Sequence, residues 1–169
     1  NTYDIELTYV SDHSFSAKQT VTLKNNSDQV WETLQFNLYA SAFSDGVINK
    51  PVSTLNVDAA YPNGISYGNY EILTVTQKNV ELEWGVEGVD SNVLKVVPSK
   101  PLNSGEKMQV NMEFNFSLPN IHHRYGYGEN TMNVANFYPM LGVFENGSFF
   151  TEPYNYNGDP FYSEMSNYN

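Results

Sequence analysis

Apolar and polar residues alternate with a period of two over much of this chain. In Tyr3-Asp4-Ile5-Glu6-Leu7-Thr8-Tyr9 the odd positions are apolar and the even ones polar. Val21 and Leu23 alternate with Thr20, Thr22 and Lys24, and Leu34, Phe36 and Leu38 with Gln35 and Asn37. Val80, Leu82 and Trp84 flank Glu81 and Glu83. In the clearest run, Met108, Val110, Met112, Phe114 and Phe116 are spaced by Gln109, Asn111, Glu113 and Asn115. Successive side chains of a strand point to opposite faces, so each run predicts a strand with one buried and one wet face. Antiparallel sheets tolerate that asymmetry.

Turn-forming clusters separate these runs: Asn25-Asn26-Ser27-Asp28, Asp45-Gly46, Pro62-Asn63-Gly64 and Asn103-Ser104-Gly105. No amphipathic helix longer than two turns, no repeat and no linker stands out. The pattern predicts one all-β domain over residues 1–169, an antiparallel two-sheet sandwich or saddle with short strands and long C-terminal loops. Residues 121–138 lack alternation and read as a long loop. From there the chain is loop-rich, with short strands expected at 140–144 and 161–168.

Composition sharpens this picture. Aromatics reach 15%, with 13 Tyr and 10 Phe, which argues against disorder and for pleated structure. Eight basic residues against 19 acidic ones leave a net charge of -11. Nucleic acid and anionic membranes are bound mainly through Lys and Arg, so neither is an expected partner. No apolar run approaches the about 20 residues that span a bilayer, so no direct membrane insertion is expected. The absence of Cys excludes disulfides, thiolate catalysis and Cys-based zinc sites. Asn25, Asn115 and Asn146 stand in Asn-x-Ser sequons, short enough to arise by chance in an Asn-rich chain.

Catalytic signatures are few. His122 and His123 are adjacent, so on a strand they would point apart, and neither forms a metal-ligand spacing with the distant His13. Glu152, Asp159 and Glu164, with Asn155 and Asn157, offer oxygen donors for calcium but lack its regular spacing. Glu81 and Glu83 share a strand face and read as a solvated edge. Nucleophile elbows, P-loops and dinucleotide fingerprints are absent. The aromatic-rich tail around Phe137, Tyr138, Phe149, Tyr154, Phe161 and Tyr162 reads as core, as a sugar-stacking platform or as a surface that docks a neighbouring domain.

Phe137-Tyr138-Pro139, followed by Gly158-Asp159-Pro160-Phe161-Tyr162, resembles the end of the N-terminal β-domain of M1-family zinc aminopeptidases, the bacterial members in particular. Earlier segments follow the same family order: Tyr3-Asp4-Ile5-Glu6-Leu7 with Phe15-Ser16-Ala17, then Leu34-Gln35-Phe36-Asn37-Leu38, then Pro101-Leu102-Asn103-Ser104-Gly105-Glu106-Lys107. The family's His-Glu-x-x-His zinc helix is not in this chain. Gly126-Tyr127-Gly128-Glu129-Asn130 is not its Gly-x-Met-Glu-Asn motif either, having Gly128 for Met and lying upstream of Phe137.

The resemblance implies a non-catalytic, saddle-shaped domain that caps a zinc-bearing catalytic domain of the same polypeptide. That parent would remove N-terminal residues from peptides, and its zinc would lie in the catalytic domain, with no metal ligand and no catalytic residue here. Alone, this chain is expected neither to bind zinc tightly nor to cleave peptides. The family's N-terminal domain lends a polar side chain to the peptide's amine end. Counted back from Pro139, that position falls on Glu129 and Asn130, although the basic residue many members carry is Ala135 here. The same residues also read as a plain solvated loop. Phe137, Tyr138, Tyr154, Phe161 and Tyr162 are the corresponding domain-docking candidates. Bacterial members with this tail include membrane-associated proteins, implying an extracytoplasmic or membrane-tethered parent. Tyr168-Asn169 reads as the opening of a further strand. A free-standing β-sandwich binding module for carbohydrate or a protein partner is the alternative.

Overall fold

The computed structural model describes residues 1–157 and 161–169. In chain order its strands are β1 (Thr2–Ser11), β2 (Ser14–Lys24), β3 (Leu34–Asn37), β4 (Asn69–Gln77), β5 (Val80–Glu81), β6 (Glu83–Glu87) and β7 (Val93–Val97). There follow β8 (Lys107–Ser117), β9 (Tyr125–Tyr127), β10 (Met132–Val134), β11 (Met140–Leu141), β12 (Phe144–Glu145), β13 (Ser148–Phe149) and β14 (Asn167–Tyr168). Short helical turns at Tyr39–Phe43, Thr54–Asn56 and Val57–Ala60 are the helices among the described residues.

The strongest alternation builds the larger sheet, a six-stranded one in the order β14-β1-β2-β8-β4-β5. Strand β2 pairs along its whole length with β8, from Ser14 opposite Ser117 to Lys24 opposite Lys107. A tight turn joins β1 to β2 with Asp12 and His13 at φ 47° and 61°, the twist that suits a two-residue hairpin. The second sheet is four-stranded, in the order β11-β3-β7-β6. Val21, Leu23, Val110, Phe114 and Phe116 from the first sheet share one core with Leu34, Phe36, Leu94 and Val96 from the second, all at most 2% exposed. Each such side chain contributes about 1.5–3 kcal/mol by leaving water. The sequence therefore predicts the all-β two-sheet architecture correctly.

Several elements differ from expectation. The alternating run at residues 80–84 is not one strand. Its first part pairs with β4, Leu82 turns inward with its N–H donated to Val75, and the rest pairs with β7 in the other sheet. Period two survives a corner between sheets, so alternation alone does not reveal the switch. The apolar row of β1 is buried only at its start. Tyr3 is 1% exposed, but Leu7 and Tyr9 reach 41% and 53%, because nothing among the described residues covers that end. Residues 121–138 are not a long loop, since β9 and β10 pair as a hairpin with Met132 opposite Tyr127 and Val134 opposite Tyr125. Of the expected strand at 161–168 only Asn167 and Tyr168 are extended, and they run parallel to β1.

Candidate functional site

The hairpin β9–β10 carries the sequence-predicted site. Tyr125 roots it, 2% exposed, with its ring 5.0 Å from Phe43 and 6.0 Å from Phe116. Burial pushes the Tyr125 hydroxyl far above its ordinary range, so it stays protonated. Tyr127 lies flat on His13 of the β1–β2 turn, with centroids 3.6 Å apart. Backbone bonds fix both flanks: Tyr127 N–H donates to Pro119 at 2.9 Å, and Ala135 N–H to Arg124 at 3.0 Å. Asn133 Nδ2 adds a bond to the carbonyl of His123 at 2.9 Å. Gly128 N–H closes the turn on Thr131 at 2.9 Å.

Glu129 and Asn130 sit at the tip of this braced hairpin, both exposed. Among the described residues neither side chain makes a hydrogen bond or ion pair. The geometry therefore presents a carboxylate and an amide outward from a rigid support. The sequence placed these residues by distance from Pro139, but not the hairpin that holds them.

His122 and His123 precede the hairpin, line the same shallow clefts and differ in burial. His122 is exposed, whereas His123 is half-buried with its ring 5.1 Å from Phe43. Burial, and then the charge of Arg124, hold the His123 imidazole below its ordinary range, so it is neutral near pH 7. No group of three or more His, Asp or Glu among the described residues is placed to hold a metal ion. Of the calcium candidates, Asp159 lies outside the described residues.

The predicted docking aromatics are not equivalent. Tyr154 is spent inside the chain, 6% exposed, between Phe43 and Phe161 at 5.7 and 6.1 Å. Phe161 is half-buried edge-on to Tyr39, with the Arg124 guanidinium 5.1 Å from its ring centre. Phe137 covers Phe116 at 5.2 Å. Tyr138 packs on Tyr3 at 5.4 Å, and its hydroxyl meets that of Tyr168 at 3.0 Å. Tyr162 is the most open, 44% exposed. Leu7 and Tyr9, assigned to the core by alternation, are exposed as well. Tyr9 contacts Phe15 at 5.4 Å, Phe15 stacks on Phe116 at 5.0 Å, and Phe116 leads on to Phe137. Alternation marks a face as apolar but does not say what covers it, so the sequence held no signal for their exposure.

No family profile matches this chain, and no curated protein matches it. Among solved structures it is similar to an M1 zinc metallopeptidase mutant from Deinococcus radiodurans, with a TM-score of 0.50 at 12% identity, over 82% of this chain and 27% of that one. The same enzyme mutant bound to a Tyr-Ser-Ala substrate gives a TM-score of 0.49 at 12% identity, with the same 82% and 27% coverage. A two-domain M1 zinc metallopeptidase mutant bound to L-tryptophan gives 0.44 at 13% identity, over 69% of this chain and 20% of that one. At such identity the likeness is one of fold. This chain spans about a fifth to a quarter of the length of the metallopeptidases it matches.

Proposed function

We propose that this chain is the non-catalytic N-terminal β-domain of an M1-type zinc aminopeptidase, and that it caps the catalytic domain and orients the peptide's amine end. The observation that carries this is the fold shared with an M1 zinc metallopeptidase over 82% of the chain. Family-like segments in family order, from Tyr3 to Tyr162, support it from the sequence side.

In this reading Glu129 at the hairpin tip faces the substrate. An ionised carboxylate beside a protonated α-amine forms a charge-assisted hydrogen bond, stronger than a neutral one. In open solvent such a pair is worth little, and it gains strength once a second domain excludes water around it. Asn130 beside it offers an amide to the peptide backbone. In this reading the exposed Leu7, Tyr9 and Tyr162 and the half-buried Tyr138 and Phe161 are the apolar side chains that meet the catalytic domain. An exposed apolar patch marks an interaction surface. Zinc belongs to the catalytic domain, where it supplies an activated water. Among the described residues no group of three or more His, Asp or Glu fits a zinc site, and no step of theirs passes through the metal.

The test is steady-state kinetics of the full-length polypeptide on an unblocked peptide. Glu129→Gln is expected to raise KM about tenfold with kcat changed far less, the pattern of a lost uniform binding contact. An unchanged KM contradicts the assignment of Glu129.

A further inference from the structure

A cleft of about 440 Å³ lies between residues 42–67 and the segment 154–157, and it includes neither Glu129 nor Asn130. Its volume falls in the range typical of small-molecule sites. Phe43, Val47 and Tyr154, each at most 8% exposed, contribute its buried wall. Ile48, Ile65, Tyr67 and Tyr156 line it while remaining 73%, 62%, 47% and 50% exposed. Apolar side chains this open are ordinarily scattered singly. Here they converge on one concavity, as at a binding site.

The loop that forms one side is held in place from behind. Asp90, 7% exposed, accepts the N–H groups of Ile48 and Asn49 at 2.6 and 3.0 Å, and the Asn49 side-chain amide at 2.8 Å. That clamp fixes the backbone that carries Ile48, Asn49 and Lys50.

Lys50 is the one charged side chain among the described residues that line the cleft. It is exposed, and among the described residues it forms no ion pair within 4 Å. The nearby Asp90 carboxylate is held by three N–H donors and also feels the charge of the Lys50 ammonium, but the two form no ion pair within 4 Å. The chain carries a net charge of -11, yet among the described residues the single full charge lining this apolar cleft is positive. A ligand complementary to these walls needs an apolar or aromatic body, and one complementary to Lys50 needs an anionic end.

We propose that the cleft lined by Lys50, Ile48, Ile65, Tyr67 and Tyr156 binds an apolar carboxylate, with its ring or chain against the tyrosines and isoleucines and its carboxylate on the Lys50 ammonium. The inference is independent of the proposed role of Glu129, and its failure leaves that role untouched.

Calorimetric titration of this chain at low salt with 4-phenylbutyrate, 4-phenylbutan-1-ol and 4-phenylbutylamine tests it. The carboxylate is expected to bind saturably at one site, with the alcohol and the amine each about fivefold weaker or worse, the size of one exposed charge pair. Lys50→Gln should bring the carboxylate down to the level of the alcohol, while Lys50→Arg keeps the preference. Ile65→Asp should abolish binding of the carboxylate with an unchanged far-ultraviolet circular dichroism spectrum. Absence of saturable carboxylate binding, equal affinity for the three compounds, or a preference that survives Lys50→Gln overturns the proposal.

Discussion

Asn25 shows how much one buried amide can organise. It lies in an Asn-x-Ser sequon, yet it is fully buried, and its Nδ2 donates to the carbonyls of Gln29 at 2.7 Å and Leu102 at 2.8 Å. Its Oδ1 accepts Ser27 N–H at 2.9 Å, so the side chain stands in for backbone across a turn. A glycan has no access to it. Asn25→Ala removes both donated bonds and the acceptor for Ser27, although Trp31 N–H still reaches the Leu102 carbonyl at 3.0 Å, and is expected to lower stability by about 1–3 kcal/mol in urea unfolding. Asp90 plays a comparable part under the cleft and adds a pH dependence. Burial opposes its charge, but the three donated N–H bonds and the charge of Lys50 outweigh that and hold the carboxyl below its usual range. The unfolded chain therefore takes up the proton first as pH falls. The stability Asp90 contributes is full at neutral pH and is lost progressively below about pH 4, through the lowered folded value. Asp90→Asn should reduce stability at pH 7 and flatten its decline between pH 5 and pH 2, measured by urea unfolding across that range. An unchanged slope contradicts the clamp.

At the scale of elements, legibility followed the regularity of the pairing. Strands β2 and β8 could be read because their ladder is continuous and one face is fully covered. Strand β4 could not. A bulge between Ile72 and Thr74 moves its buried positions from Ile72 to Val75, so no single period runs through it. Strand β7 was hidden for another reason: Leu94 and Val96 are buried on one face, but Val93 and Val97 put apolar residues on the other as well and leave no alternation to detect. The hairpin β9–β10 is too short for a period and is held by a close approach. A Cβ on Gly126 would lie 2.3 Å from Ile121 Cγ2 and 2.7 Å from the Ile121 carbonyl oxygen. Gly126→Ala is therefore expected to cost about 1–3 kcal/mol by overpacking and to loosen the hairpin that carries Glu129. Faster amide hydrogen exchange at Tyr127 and Ala135 would register it, and unchanged exchange there contradicts the bracing assigned to that glycine.

For the whole molecule, the all-β fold was legible from alternation and composition, because both report burial directly. The candidate site was legible only in part. Counting from Pro139 offers Glu129 and Asn130 as candidates, but which aromatics stay open depends on packing that no local pattern encodes. Tyr154 is enclosed and Tyr162 is open, although both stand in the same aromatic tail. The cleft around Lys50 assembles residues from 42 to 157, a separation beyond any sequence window. The proposed place of this chain in a zinc aminopeptidase is tested most directly by sequencing the reading frame that encodes it past Asn169. A downstream His-Glu-x-x-His motif, preceded by Gly-x-Met-Glu-Asn, is the result expected of the N-terminal domain of such an enzyme. A stop codon directly after Asn169, or continuation into a domain without that motif, would contradict it.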